Sequence, residues 1–403
     1  MKKIAFLNLL VVIAVTQVNA QFILSGEFRP RTEFAHGYKT LSSEGQDWSV
    51  FTAQRSRLNA LYSTTGVNAK LVLQDVRVWG SQPQLVTNED YATSVHEAWA
   101  EVFLAENFSL KVGRQELVYD DSRIFGNVGW AHQARSHDIA LLKYETGFKL
   151  HFGIAHHENP DYTTNIYTGP DAYKNLQFAW FNKNWGQESL SLLFLNNGLP
   201  VMNTDGQDTR YSQTLGGRFT TAFEKFGLAT NFYYQNGKHF TGIEIDAWNF
   251  LLEAAISNFT AGYEYLSGNS NDDYEENNAF TPFYGTNHKF NGFMDYFYVG
   301  NHINSVGLQD AYINYSYSTN KFSVKSTLHY FASAGEISSA ANKYLGTELD
   351  ITCSYKVQNS ATLSAGWSTM FAGESLELLK GGDRNSGNHW AYLMLSVTPT
   401  FIQ

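Results

Sequence analysis

Eight of the eleven arginines in this 403-residue chain lie before residue 136. They are Arg29, Arg31, Arg55, Arg57, Arg77, Arg114, Arg123 and Arg135. A guanidinium stays charged at physiological pH and presents a planar fork of donors to carboxylates and phosphates. Clustered guanidiniums therefore suit holding or steering an anion, although the chain as a whole carries a formal charge of −10. Carboxylates share the region: Glu27, Glu33, Asp75, Glu97, Glu101, Glu116, Asp120, Asp121 and Asp138. One reading is ion pairing that braces a wall; the other is an electropositive constriction that selects anions. The two are compatible, and the field depends on how many arginines lack a carboxylate. The eight arginines are expected to shape that field, with Asp75, Glu97, Glu101 and Asp138 as their partners.

Other chemistry is sparse. His156 and His157 lie beside Glu158 and Asp161. Adjacent histidines on a strand point to opposite faces and cannot share a metal without a bend. No Gly-x-Ser-x-Gly or His-Glu-x-x-His motif occurs, which disfavours a hydrolase. Cys353 stands alone, so no intramolecular disulfide can form. The acidic run Asp272, Asp273, Glu275 and Glu276 reads as a solvated loop, with weak calcium binding as the alternative. Trp79, Trp99, Trp130, Trp185 and Trp248 suit an interfacial girdle or stacking on sugar rings, and Trp130 is singled out for the latter. No cofactor or resident metal is expected. Basic tracts are absent and the charge is acidic, which argues against nucleic acid.

The elements that would carry these residues begin after an export signal. Lys2 and Lys3 precede an apolar stretch from Ile4 to Val15, and Val18-Asn19-Ala20 suits cleavage before Gln21. That stretch is too short to span a bilayer, which takes about 20 apolar residues in a helix. Mean hydropathy is −0.31 with 15% aromatics. A chain of this kind enters a membrane only as a closed barrel that pairs every backbone polar group internally. Phe22, Leu24, Gly26, Phe28 and Phe34 share one parity, against Ser25, Glu27, Arg29, Arg31 and Glu33 on the other. Near the far end, Ala391, Leu393, Leu395, Val397 and Phe401 alternate with Trp390, Tyr392, Met394 and Ser396. Arg29 with Arg31, and Arg55 with Arg57, are expected to face the lumen, because lipid-facing arginine costs about 2–4 kcal/mol at the midplane.

Short links near 65–66, 106–107, 146–147, 183–187, 224–225, 257–258, 319–320 and 358–359 alternate with long polar ones. The long ones fall near 36–49, 80–93, 119–136, 158–174, 197–210, 237–244, 268–307, 332–345 and 372–388. This pattern predicts an all-β fold: one transmembrane antiparallel β-barrel of about eighteen strands, with short periplasmic turns and long extracellular loops. Residues 1–20 would be the signal peptide and 21–403 the barrel, wide enough for an aqueous channel.

Several stretches resemble the alginate export family of outer-membrane porins. The most specific is Val112-Gly113-Arg114-Gln115-Glu116-Leu117, continuing through Asp121, Arg123-Ile124-Phe125-Gly126, Gly129-Trp130 and Ala134-Arg135-Ser136 to Asp138. Leu73–Trp79, Tyr284–Gly292, Asp295–Tyr298 and Ser364–Phe371 are similar to it as well. The resemblance implies a monomeric barrel in the outer-membrane lipid of a Gram-negative cell. Its arginine-lined pore would pass an anionic polyuronate, with Arg114, Arg123 and Arg135 as the motif-matched residues and periplasmic export components as possible partners. The expected function is passive, anion-preferring passage of an acidic polysaccharide or small anions. A general or nutrient-specific porin is the alternative within transport. A barrel that displays its loops for adhesion, or carries a hydrolase site, is the alternative from another class.

Overall fold

The computed structural model describes residues 20–84, 93–160, 163–170, 172–204, 206–270 and 275–403. The proposed signal peptide therefore lies, but for Ala20, outside the described residues, as do Asp161, Asp272 and Asp273.

Strand-forming segments with alternating faces pair into a single antiparallel sheet that closes on itself. It runs β1 (Gln21–His36), β2 (Ser49–Ser63), β3 (Val67–Val78), β4 (Thr93–Ala105), β5 (Phe108–Gln115), β6 (His137–Glu145), β7 (Lys149–His156), β8 (Asn175–Trp185), β9 (Glu188–Asn203), β10 (Gly206–Phe223), β11 (Phe226–Lys238), β12 (Glu244–Ile256) and β13 (Phe259–Leu266). Five more strands follow: Leu308–Ser318, Phe322–Ala332, Tyr344–Gln358, Ala361–Ala372 and Asn388–Val397. Each pairs with its neighbours in sequence, and Asn388–Val397 pairs with β1, so eighteen barrel strands leave no open edge. Two short pieces add to the sheet: Glu276–Asn277, parallel to the start of β12, and Thr400–Ile402, against β1. At that seam Gly26 donates to the Pro399 carbonyl at 2.9 Å, and the Phe401 ring lies over Gly26, where a Cβ would come within 2.9 Å of it.

Large apolar side chains such as Phe22, Phe28, Leu71, Leu73, Val112, Phe194 and Leu215 stay exposed on the outward parity. Polar residues such as Arg29, Arg31, Arg55, Glu264 and Asp310 are buried on the inward one. This inversion of the soluble pattern is what a lipid-facing exterior requires. All eight short links fall where the sequence pattern puts them. One long link does not exist: residues 197–203 and 206–210 continue β9 and β10, with Leu199 opposite Arg210 and Pro200 opposite Thr209. Pro200 is tolerated because β8 begins at Asn175, opposite Gly198, and leaves that edge of β9 unpaired.

Candidate functional site

Two long links fold into the lumen and meet there. The first, residues 116–136, joins β5 to β6; the second, within 267–307, joins β13 to Leu308–Ser318. Their backbones pair where Gly126 donates to the Tyr284 carbonyl (2.9 Å) and Thr286 to the Ser122 carbonyl (2.9 Å). A Cβ on Gly126 would sit 2.2 Å from Thr286 Oγ1, so glycine permits the approach.

The first link rests on an arginine wall. Arg29 on β1 stands opposite Arg55 on β2 in the ladder, and Glu27 opposite Arg57. Arg29 donates to the carbonyls of Gly129 (2.8 Å), Trp130 (3.1 Å) and Ala131 (3.3 Å). Arg31 donates to the Trp130 carbonyl (2.8 Å), pairs with Glu33 (2.7 Å), and lies 4.0 Å from the centroid of the Trp130 ring. Arg55 pairs with Glu27 (2.6 Å) and reaches the carbonyls of Gly129, Ala131 and His132 at 3.3–3.4 Å. Arg57 donates to Gln74 (2.7 Å) and stands 3.9 Å from Glu27 and 3.8 Å from Glu116. Many of the hydrogen bonds are thus made to neutral carbonyls, which satisfy donors without cancelling charge. Among the described residues His132, buried among these groups, has no hydrogen-bond partner on either ring nitrogen. Burial, reinforced by Arg31, Arg29 and Arg55, pushes its imidazole down to about 3.

The second link rests on a carboxylate wall. Glu264 and Asp310 face each other across β13 and Leu308–Ser318. Glu348 and Asp350 occupy alternate positions of Tyr344–Gln358, beside His329 and Thr327 of the adjacent strand. All four acids are at most 2% exposed. Asn291 donates to Glu264 (2.9 Å) and Asp310 (3.1 Å), the Phe293 amide to Asp350 (3.2 Å) and the Met294 amide to Glu348 (2.8 Å). His329 Nδ1 meets Asp310 at 2.8 Å. Gly292, at φ +85°, lies so close to Glu348 that a Cβ would come within 2.6 Å of its Oε1.

Arg123 crosses between the systems. It belongs to the first link, yet it pairs with Glu264, hydrogen-bonds Asn291 (3.1 Å) and lies 3.9 Å from the Phe290 ring centroid. Arg135 donates to the Gly285 carbonyl (3.1 Å) and faces the Tyr284 ring. Burial lowers its guanidinium below the usual range. Trp130 stacks on His288 (4.6 Å, 11°) and packs edge-on against Tyr392.

Four expected lumen residues face outward. Asp75 and Arg77 share the parity of Leu71 and Leu73 and pair with each other at 2.6 Å, opposite Ser56 and Gln54 on the outer face of β2. Arg114 shares the parity of Leu110 and Val112 and pairs with Asp138 across β5 and β6 at 2.9 Å. The period-2 pleat, not the charge, sets their direction, and mutual pairing moderates the cost of exterior charge. Glu97 and Glu101 do face inward, but their cationic partners are lysines: Lys70 at 2.5 Å and Lys143 at 2.9 Å. The arginines pair instead with Glu27 and Glu33, and Arg57 lies near Glu116. Residues that sequence reasoning missed are Arg218 on β10, paired with Asp121 at 2.7 Å, and the whole carboxylate wall. Lys111, 3.8 Å from the Trp99 ring centroid, was missed as well. Of the remaining tryptophans, Trp79, Trp185 and Trp248 are exposed, as a girdle requires. His156 contacts Asn175 (2.6 Å) while His157 stacks on Tyr173 (4.8 Å), so the histidine pair splits. Among the described residues no three His, Cys, Asp or Glu side chains are grouped to hold a metal ion.

A closed eighteen-strand barrel with an apolar exterior, a polar interior and two links folded into its lumen defines the porin class of outer-membrane channels. The alginate export family model matches residues 21–391, and the chain belongs to that family. No curated protein matches it by sequence. Among solved structures it is similar to OccK9 (OpdG) of Pseudomonas aeruginosa, at TM-score 0.64 and 14% identity, covering 94% of this chain and 99% of that one. OccAB4 of Acinetobacter baumannii gives 0.62 and 12% over 96% and 99%. OccK8 (OprE) of P. aeruginosa gives 0.60 and 13% over 95% and 99%. At such identities the likeness speaks for the fold. The protein is an outer-membrane channel of the alginate export family, seated in a Gram-negative bilayer.

Proposed function

We propose that this channel is passive and prefers anions, passing an acidic polysaccharide or small anionic solutes along the arginine wall. The observation that carries the reading is the excess of guanidiniums over carboxylates there. Arg29, Arg31, Arg55 and Arg57 share three carboxylates, Glu27, Glu33 and Glu116, and take neutral carbonyls of 129–132 for much of the rest. Arginine keeps its charge on burial. The residual field along the arginine wall is therefore positive. Arg123 and Arg135 hold the two links together, and Trp130 offers a ring beside Arg31. Residues 1–20 act as a cleaved export signal, supported by the first strand beginning at Gln21, and the barrel works as a monomer. N-terminal sequencing of protein from the membrane fraction is expected to start at Gln21.

The test is the reversal potential of purified protein in a planar bilayer under a salt gradient, followed by addition of oligouronate. Anion selectivity with block is expected. Cation selectivity, or none, without block would leave a general porin and sink the anion reading.

A further inference from the structure

The outer face of β7–β12 changes character within one step of the pleat. Phe152, Ala179, Phe194, Leu215, Tyr234 and Trp248 stand opposite one another from strand to strand, and all but the alanine are exposed. The next outward row toward the long links is Gln177, Asn196, Gln213 and Asn236, each again opposite the next. These amides are bonded in one direction. Gln213 Nε2 donates to Asn196 Oδ1 (2.8 Å), and Asn196 Nδ2 donates to Gln177 Oε1 (2.7 Å). Among the described residues, the Gln177 Nε2 group at the end of the row and the Asn236 amide have no partner. In the row above, Asn175 Nδ2 donates to the Tyr211 hydroxyl (3.1 Å) and its Oδ1 meets His156 Nδ1 (2.6 Å). At ~4.8 Å per strand the four amides extend over about 14 Å, the scale of two linked sugar rings.

We propose that this shelf binds a glycolipid of the outer leaflet, with its acyl chains along the apolar row and its sugar headgroup on the amides. Sugar hydroxyls donate and accept alike, and so do the side chains of Gln177, Asn236 and Tyr211. A phospholipid headgroup offers phosphate oxygens, which are best met by charge-assisted donors. Lys238, the ammonium on the same outer face of β11, is already paired with Glu244 at 3.3 Å. The outward polar residues of β3, β5 and β6 differ in kind, being the charge pairs of Asp75 with Arg77 and Arg114 with Asp138. On the far arc the exposed rings of Tyr330, Phe371 and Phe34 stand near the long links instead. A bonded amide row is also ordered before a guest arrives, which lowers the cost of binding. The shelf lies outside the lumen, so it is separate from the anion pathway.

Native mass spectrometry of the protein released from nanodiscs reads which lipid stays bound. The nanodiscs hold equal amounts of phosphatidylethanolamine and lipid A, an acylated and phosphorylated diglucosamine. Lipid A adducts are expected to exceed phospholipid adducts at least about fivefold, the effect of one or two neutral hydrogen bonds. Replacing the row by Gln177→Leu, Asn196→Leu and Gln213→Leu together suits a lipid-facing wall and should bring the ratio to about one. Gln177→Ala removes only the unpartnered end of the row. It should lower the ratio about threefold, and it serves where the triple variant does not fold. Asp75→Asn with Arg77→Gln, on the outer face of β3, should keep the wild-type ratio. Equal adducts of the two lipids in the wild type, the wild-type ratio in the folded triple variant or in Gln177→Ala, or the same loss in the β3 variant would overturn the proposal.

Discussion

The arginine wall and the carboxylate wall solve the same problem with opposite halves of the peptide group. Each must dock an inward link on buried charge. The arginines of β1 and β2 receive carbonyls, those of residues 129–132; the acids of β13 and the strands after it receive amide N–H groups, from Phe293, Met294 and the Asn291 side chain. Backbone polarity, turned one way or the other, matches a segment to a wall without spending a counter-charge. Hence both links can be pinned while the field between the walls survives.

The largest expected disturbance comes from removing the arginine dock. Arg29→Gln with Arg55→Gln takes away most of the donors to 129–132, and hydrogen bonds to charged groups contribute about 1.5–3 kcal/mol each. Single-channel conductance should rise and the reversal potential should move toward zero. Unchanged values in well-folded protein would mean that the arginine wall does not line the conducting path. Gly292→Ala strikes the other wall, setting a methyl against Glu348 at a backbone angle that alanine resists, at a cost of about 1–3 kcal/mol. Limited proteolysis within 275–307 should speed up while ion selectivity stays as it was; a shift in selectivity would show that the walls are not independent.

A smaller effect is expected with pH. His132 holds a pKa of about 3 when docked against an ordinary 6.5 when released. The released state therefore binds the extra proton between those values, and docking of 116–136 weakens as pH falls from about 6.5 toward about 3. Conductance recorded across that range should rise on acidification in the wild type and less in His132→Gln. Equal profiles would assign the pH response to the carboxylate wall. The smallest effect belongs to the outward pairs. Asp75→Asn with Arg77→Gln should leave selectivity untouched and move stability by no more than about 1 kcal/mol in thermal unfolding. A change in reversal potential there would contradict the outward placement.

Much of the barrel was legible because a lipid-facing strand must alternate. The parity that places Arg29, Arg31, Arg55 and Arg57 inward is visible in their apolar neighbours. The same rule, applied to Asp75 and Arg77 beside Leu71 and Leu73, points outward; reading by charge alone misplaced them. It also exposes the acidic wall, since Glu348 and Asp350 alternate with Leu349 and Ile351. The stretch 197–210 looked like a link because Asn197-Gly198, Pro200 and Asn203 through Gly206 are turn-type residues, yet β9 and β10 run on through 197–203 and 206–210. The docking of 116–136 and 267–307 was not legible, because it rests on main-chain carbonyls and amides, which every sequence possesses. Side-chain types cannot announce such bonds.

The Gly26 and Phe401 seam has a consequence for assembly. Every other pairing among the eighteen barrel strands joins neighbours along the chain, and each such hairpin can zip as soon as its two halves are present. Joining Gln21–His36 to Asn388–Val397 must instead wait for all the strands between, so it pays its closure entropy last and over the longest separation. Until then two unpaired margins face the bilayer. A bulky residue at Gly26 would have to push the Phe401 ring aside, so it is expected to leave the hairpins intact and to burden only this last pairing.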